Sequence, residues 1–171
     1  MEFMLPGLKL LTYFGIGTIV LGVLLLFGIF RGRQGPLSYI LASIICVAMG
    51  IFLISIKNSG KIVLNEDSIS LHSPLTKSFV IDPDTVEKVW VEDLQNSEWK
   101  PVRKRSGTAA GDIRSGWFTL KNGKKAYIAL QGWKALCLET GDGRTALIGI
   151  ADFNVLLSEV RKRYPNLSAL F

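Results

Sequence analysis

The sequence predicts a transmembrane α-helical hairpin followed by a mainly-β domain that one C-terminal helix closes. Two long apolar runs, residues 10–30 and 37–56, predict the hairpin, because neither contains a charged side chain. About 20 apolar residues at a rise of 1.5 Å can span a ~30 Å hydrocarbon core. After Lys57 the apolar residues recur with a period of two, which predicts strands. We therefore expect two domains, residues 1–57 and residues 58–171.

The short polar link between the two runs, residues 31–36, allows only an antiparallel pair of helices. A spanning segment must satisfy its own backbone hydrogen bonds, so each run is expected to be helical. A cleaved signal peptide is disfavoured, because the first run exceeds the usual 7–15 residues and no small-residue cleavage site follows it.

Small residues recur along one face of each predicted helix. Such residues let helix backbones approach closely, so we expect these faces to form the contact between the helices. A homodimer seam is a second interpretation, and the general abundance of small residues in membrane spans is a third. The residues are Gly15, Thr18 and Gly22 in the first helix and Ser38, Ala42, Cys46 and Gly50 in the second.

Positive charges flanking the runs predict which side of the membrane holds the domain. Lys9, Lys57 and Lys61 lie on the domain's side, against Arg31 and Arg33 in the opposite link. Cytoplasmic flanks carry the excess of Lys and Arg, so this count predicts an integral membrane protein with its C-terminal domain in the cytoplasm.

Residues 58–171 are predicted to form seven or eight short antiparallel strands joined by hairpins and closed by the C-terminal helix. The strongest local signal is Asn122-Gly123, a pair that accepts the positive φ values of a tight turn. A second hairpin is predicted at Gly141-Asp142-Gly143, and residues 107–111 are expected to form a loop. Residues 99–105 are expected to form an edge strand, because Pro101 cannot donate a ladder hydrogen bond.

The chain ends in an amphipathic pattern that predicts a helix over residues 151–164. Its apolar residues fall on one face, and three cations occupy its last turn, where they suit the helix dipole. Pro165 is expected to end the helix, which would cover the open end of a barrel. The apolar residues are Phe153, Leu156, Leu157, Val160 and Tyr164.

Three segments, 61–71, 115–125 and 145–153, carry a resemblance to a known family. Their order and spacing resemble the bacterial pleckstrin-homology (PH)-like domains that follow short membrane spans. The resemblance covers residues 61–164 and implies a partly open barrel of about seven antiparallel strands capped by one C-terminal helix. It also implies a binding or scaffolding module in a bacterial cytoplasmic (inner) membrane. It names no ligand, because this fold supports many functions.

The sequence contains no constellation of residues typical of catalysis. His72 is the one histidine, and Cys46 and Cys137 are expected to stay apart and form no disulfide. No nucleophile–base set, Cys-x-x-Cys pair or phosphate loop is present. The acidic pairs fall at turns or strand ends. We therefore expect no enzymatic activity, no cofactor and no metal site.

Basic residues are the one chemically suggestive feature of the domain, whose net charge is only about +3. They could be a solvated edge that prevents strand-to-strand aggregation, or a surface that contacts anionic lipid. Nucleic acid is disfavoured, because so small a net charge gives a weak electrostatic footprint. The candidate contact residues are Lys100, Arg103, Lys104, Arg105, Arg114, Lys121, Lys124 and Lys125.

These observations predict a membrane-anchored binding or scaffolding module that touches anionic lipid or a protein partner at the membrane surface. An assembly subunit of a larger membrane complex is the alternative, and a membrane enzyme of unknown chemistry is the second alternative. The expected partners are membrane lipids, a protein that the sequence does not identify, and further copies of the chain.

Overall fold

The computed structural model describes residues 1–5, 8–28, 36–57, 60–73 and 76–169. The chain divides into two compact units. The β unit consists of residues 1–5 and 60–171, and the helical unit consists of residues 6–59. The sequence placed residues 1–5 with the helices, whereas in the structure they belong to the β unit.

The helical unit contains two helices, α1 (Leu8–Gly28) and α2 (Pro36–Lys57). Their side chains are described over residues 12–26, 37–38 and 40–53.

No helix within this described part of the chain combines the length and the hydropathy that a membrane span needs. This finding overturns the predicted transmembrane hairpin and the predicted integral membrane localisation. The prediction of a cytoplasmic domain falls with them. Arg31, Arg33 and the side chains of Lys9 and Lys57, on which that prediction depended, lie outside the described residues.

The first sheet of the β unit has four antiparallel strands in the order β1-β2-β3-β4. Strand β1 covers the outer edge of β2, with Phe3 opposite Ile62, and the Met1 amino group donates to the Leu64 carbonyl oxygen over 2.7 Å. The strands are β1 (Glu2–Met4), β2 (Lys61–Leu64), β3 (Ile69–Ser73) and β4 (Thr76–Ile81).

The second sheet has six strands in the order β5-β9-β10-β8-β7-β6. Strand β10 lies between β8 and β9 and runs parallel to β8. Gly149 ends β10 beside Lys134, and a Cβ atom there would collide with the Lys134 carbonyl oxygen. The strands are β5 (Val86–Asp93), β6 (Pro101–Ala110), β7 (Ile113–Leu120), β8 (Lys125–Gln131), β9 (Lys134–Thr140) and β10 (Thr145–Gly149).

This architecture corrects the predicted fold class. The described residues form ten strands in two sheets, with one parallel pair, in place of about seven antiparallel strands in a single partly open barrel. Residues 107–110, expected in a loop, continue β6. The C-terminal region has two helices, α3 (Phe153–Arg163) and the short α4 (Pro165–Ser168), because Pro165 begins a new helix after α3 ends.

The main core lies between the two sheets and under α3. Buried Ile62 and Leu71 come from the first sheet, Tyr127 and Leu138 from the second, and Leu156 from α3. Helix α3 presents its apolar face to this core as predicted. The Tyr164 hydroxyl donates to the Asn65 carbonyl oxygen over 2.5 Å, which ties the end of α3 to the β2–β3 turn.

A second, smaller core covers the opposite face of the six-stranded sheet. Leu94, Phe118 and Leu147 are buried there, and three tryptophans pack against them at the margin. This face carries part of the basic surface, so the packing of its tryptophans decides which cations are available. The tryptophans are Trp90, Trp99 and Trp133.

Candidate functional site

The eight cations that the sequence singled out fall into two groups in the structure. One group contacts tryptophans or carboxylates and is engaged within the fold. The other group has no carboxylate partner among the described residues. The distinction matters because a cation that already neutralises a carboxylate has less charge to offer a ligand.

Trp133 holds two cations of the engaged group. The Arg114 guanidinium lies 4.5 Å from the centre of the Trp133 ring, and the Lys100 ammonium lies 5.4 Å from it. Lys100 also donates to the Gln95 carbonyl oxygen over 3.1 Å. Both positions fit cation–π contacts, so Lys100 fastens the loop before β6 to Trp133, and Arg114 fastens the start of β7 to the same ring.

The other engaged cations flank the Asn122-Gly123 turn. Lys124 donates to the Glu139 carboxylate over 2.7 Å and lies 5.1 Å from the centre of the Trp99 ring. Lys121 pairs with Glu98 over 3.3 Å. The turn itself is as predicted, with Gly123 at a φ of 81°. Lys121 and Lys124 therefore serve mainly to hold the turn and Trp99 in place.

Three cations that have no carboxylate partner among the described residues flank one threonine at the edge of the six-stranded sheet. Arg103 of β6 and Lys125 of β8 are the two cross-strand partners of Thr119 in β7. Directly opposed residues of antiparallel strands place their side chains on the same face, about 5 Å apart. Arg105 reaches the same point, because its Nε donates to the Thr119 hydroxyl over 2.8 Å. We call Arg103, Arg105, Lys125 and Thr119 the basic corner.

Lys104 lies on the other side of the sheet from the basic corner. It is opposite Phe118, whereas Arg103 is opposite Thr119, and neighbouring strand residues point to opposite faces. Arg105 shares the Arg103 side, because residues two apart in a strand point to the same face, and its Nε reaches the Thr119 hydroxyl there. The sheet therefore places Lys104 on one face and Arg103 and Arg105 on the other, although the sequence prediction treated the three residues as one cluster.

Sequence reasoning missed Thr119, although a signal for it was present. The Asn122-Gly123 turn sets the register of β7 and β8, and this register brings Thr119 opposite Lys125. The hydrogen bond from Arg105 to Thr119 could not be predicted in the same way, because it depends on the pairing of β6 with β7, where residues 107–110 were expected to form a loop.

The basic corner offers many hydrogen-bond donors and a concentration of positive charge. Each guanidinium carries five N–H donors and the ammonium three, and Arg105 uses one of its donors on Thr119. All three cations are exposed. Planar guanidinium groups suit oxyanions of phosphate or carboxylate type. The arrangement can therefore bind an anion.

Other chemically active side chains lie elsewhere and are held by the fold. His72 shares a hydrogen bond of 2.7 Å with the Ser78 hydroxyl. Burial raises the pKa of the Cys137 thiol. Cys46 and Cys137 are both free thiols. In the described part of the chain, no three His, Cys, Asp or Glu side chains are grouped to hold a metal ion.

The small residues of the helical unit lie between α1 and α2. A Cβ atom at Gly50 would lie 2.6 Å from the Gly15 carbonyl oxygen and 2.9 Å from the Thr18 hydroxyl. One at Gly22 would lie 3.1 Å from Cys46 Cβ. Ala42 is half-buried and Ser38 exposed, so the contact follows only part of the predicted stripe. Sequence reasoning missed Ser43, which is 3 % exposed.

No family model, curated protein or solved structure matches this chain. The resemblance to bacterial PH-like domains therefore stays a prediction.

Proposed function

We propose that the β unit is a binding module that docks on an anionic lipid surface through its basic corner. The observation that carries this proposal is the pairing that puts Arg103 and Lys125 on either side of Thr119, whose hydroxyl accepts from Arg105. None of the three cations has a carboxylate partner among the described residues. Three neighbouring cations repel one another, so an arrangement that brings them together without neutralising them favours an external anion.

A lipid surface suits the position of these cations at the end of a sheet. Arg103 and Arg105 lie on β6, the edge strand of the sheet, and Lys125 begins β8 beside the exposed turn. Such an edge can approach a flat surface without rearrangement of the core. Each Lys or Arg close to an anionic membrane contributes about 1 kcal/mol, so three contribute about 3 kcal/mol.

Nucleic acid is a weaker candidate for the same residues. Recognition of a single strand combines cations with aromatic faces on which the bases stack. Trp99 and Trp133 pack on the other face of the sheet and already have cations of the fold over their rings. Trp117, which shares the face of Thr119 in β7, is packed edge-on against Phe79 and Tyr127. The corner therefore offers charge without a free stacking platform beside it.

The direct test is binding of the full chain to vesicles of defined charge. Because large apolar side chains are exposed on the helical unit, such as Tyr13 (72 %) and Leu37 (78 %), neutral phosphatidylcholine vesicles set the baseline. Vesicles with phosphatidylglycerol should bind the chain more strongly than this baseline. The excess should vanish near 0.5 M salt, where the Debye length falls to about 4 Å. Equal binding to neutral and anionic vesicles would contradict the proposal.

The exposed apolar side chains of the helical unit favour a second candidate, an assembly subunit of a larger complex. A large exposed apolar surface commonly marks an interaction site. Nothing in the described residues identifies what covers it, so this candidate ranks below anion binding.

A further inference from the structure

Within the described residues, the Thr119 hydroxyl of the basic corner accepts one hydrogen bond and donates none. Its oxygen accepts from Arg105 Nε over 2.8 Å, and within the described residues its own proton has no acceptor. A hydroxyl can donate one hydrogen bond while it accepts another. Arg105 is also held in place by this contact, which reduces the conformational entropy that its side chain would lose on binding a ligand. The corner thus combines a fixed guanidinium with an available hydroxyl donor.

The register of the three strands places the other two cations on either side of that hydroxyl. Arg103 and Lys125 are one strand away from Thr119 in opposite directions, about 10 Å apart across the sheet. Both side chains are long enough to reach inward over Thr119. An anion above the threonine can therefore be contacted from three directions by cations and from below by the hydroxyl.

We infer that the basic corner is a discrete site for a phosphomonoester group. This inference rests on the proposed function and names the chemical group that the site binds. A phosphomonoester carries between one and two negative charges near pH 7 and presents three terminal oxygens. Two guanidinium groups, one ammonium and one hydroxyl can supply donors to all three oxygens, and charge-assisted hydrogen bonds of this kind are the stronger ones.

A phosphodiester is a poorer match for the same residues. It carries one negative charge and has two terminal oxygens, so it offers the three cations less charge and fewer charged acceptor sites than a phosphomonoester does. A diffuse basic surface would respond only to charge density, whereas this site should also discriminate between the two phosphate types.

The test compares binding of the full chain to vesicles that contain phosphatidic acid, a phosphomonoester, or phosphatidylglycerol, a phosphodiester. The two preparations are matched in zeta potential, so charge density is equal. We expect at least fivefold stronger binding to phosphatidic acid. Thr119→Val, which removes the hydroxyl at nearly constant volume, should reduce this preference below twofold. Thr119→Ser should retain it, which separates the hydroxyl from a packing effect.

Soluble glycerol 3-phosphate, with sodium chloride at equal ionic strength as control, distinguishes a free from a lipid-held phosphomonoester. If about 20 mM glycerol 3-phosphate displaces the chain from phosphatidic acid vesicles, the result supports a site that binds the phosphate group from either source. If the chain stays bound and still prefers phosphatidic acid to phosphatidylglycerol, the result supports a site that is specific for lipid-held phosphomonoesters. Strong but equal binding to both lipids, or a preference unchanged in Thr119→Val, would overturn the inference and leave the proposed function standing. Binding no stronger than to neutral vesicles would overturn both.

Discussion

Burial determines the reactivity of single residues in this chain, and Cys137 is the clearest case. It lies in β9 within the smaller core and is 0 % exposed. Burial, with a smaller contribution from the charge of Glu92, raises the pKa of its thiol. The reactive form of cysteine is the thiolate, so the native protein protects this residue both sterically and chemically.

We predict that Cys137 does not react with a disulfide reagent such as DTNB in the native protein at pH 8. The variant Cys46→Ser, which leaves Cys137 as the one thiol, should show less than 0.1 equivalent within minutes, on the order expected for a buried thiol. In denaturant it should show about one equivalent. Rapid reaction of the native variant would show that β9 is accessible.

The same residue predicts how stability changes with pH. The folded-state pKa lies above the unfolded value of about 8.5, so burial of the neutral thiol contributes its full stabilisation below pH 8.5. That contribution is lost progressively as the pH rises above 8.5. Denaturation curves of wild type and Cys137→Ala should therefore converge between pH 8.5 and 10. A constant difference over this range would contradict the assignment.

At the scale of elements, the packing of α1 against α2 depends on the absence of a side chain at Gly50. A Cβ atom there would lie 2.5 Å from Ile19 Cγ1 and 2.6 Å from the Gly15 carbonyl oxygen. Gly17, on the same pair of helices, has open space around the corresponding position. The two glycines therefore form a matched pair for one substitution.

Gly50→Ala should lower the stability of the helical unit by about 1–3 kcal/mol, because the backbones must separate. Gly17→Ala should leave it unchanged or raise it by up to about 1 kcal/mol, since alanine is the better helix former. Thermal unfolding followed by circular dichroism at 222 nm measures both. Equal melting temperatures for the two variants would show that Gly50 is not in a close contact.

The elements also show how far sequence reasoning reaches. The Asn122-Gly123 turn, the edge position of β6 and helix α3 follow from local signals, and the structure contains all three. Strand β1 has only three residues, and the whole helical unit separates it from β2 in the sequence. No local pattern therefore predicts that the two strands pair. The parallel pairing of β10 with β8 depends on contacts between distant residues, which alternation alone does not specify.

The candidate site was predictable in composition but not in arrangement. The sequence identified Arg103, Arg105 and Lys125 among its basic residues, since charge is visible in the chain itself. It grouped Lys104 with them, because the charged run was treated as one cluster and its alternate residues were not assigned to opposite faces of the predicted strand. It also treated Lys124 as available, although Glu139 comes from a strand that only the fold brings near.

At the scale of the whole molecule, the β unit is completed by the first five residues of the chain. Leu5 is 2 % exposed, and its amide donates to the Gly60 carbonyl oxygen over 3.4 Å. Glu2 pairs with Lys61 over 3.0 Å. The helical unit is therefore an insertion between two paired strands, and the β unit is not continuous in sequence.

Leu5→Ala should consequently destabilise the β unit, by about 2–4 kcal/mol for a buried leucine. Val80→Ala is the control, because Val80 is 50 % exposed in β4 and should cost under about 1 kcal/mol. Tryptophan fluorescence during urea unfolding reports on this unit, which contains all four tryptophans of the chain. Similar midpoints for the two variants would mean that residues 1–5 contribute little.

The central claim is that position, and not net charge, makes the basic corner a binding surface. Two variants of the full chain test it most directly, one with Arg103, Arg105 and Lys125 changed to Gln and one with Lys88, Lys134 and Lys162 changed to Gln. Both remove three positive charges from exposed positions. On phosphatidylglycerol vesicles at low salt, the first variant should bind at least tenfold more weakly than wild type. A tenfold loss of affinity is about 1.4 kcal/mol, roughly half of the 3 kcal/mol that three cations contribute. The second should stay within about twofold of wild type. Equal losses in the two variants, or no loss in the first, would contradict the claim.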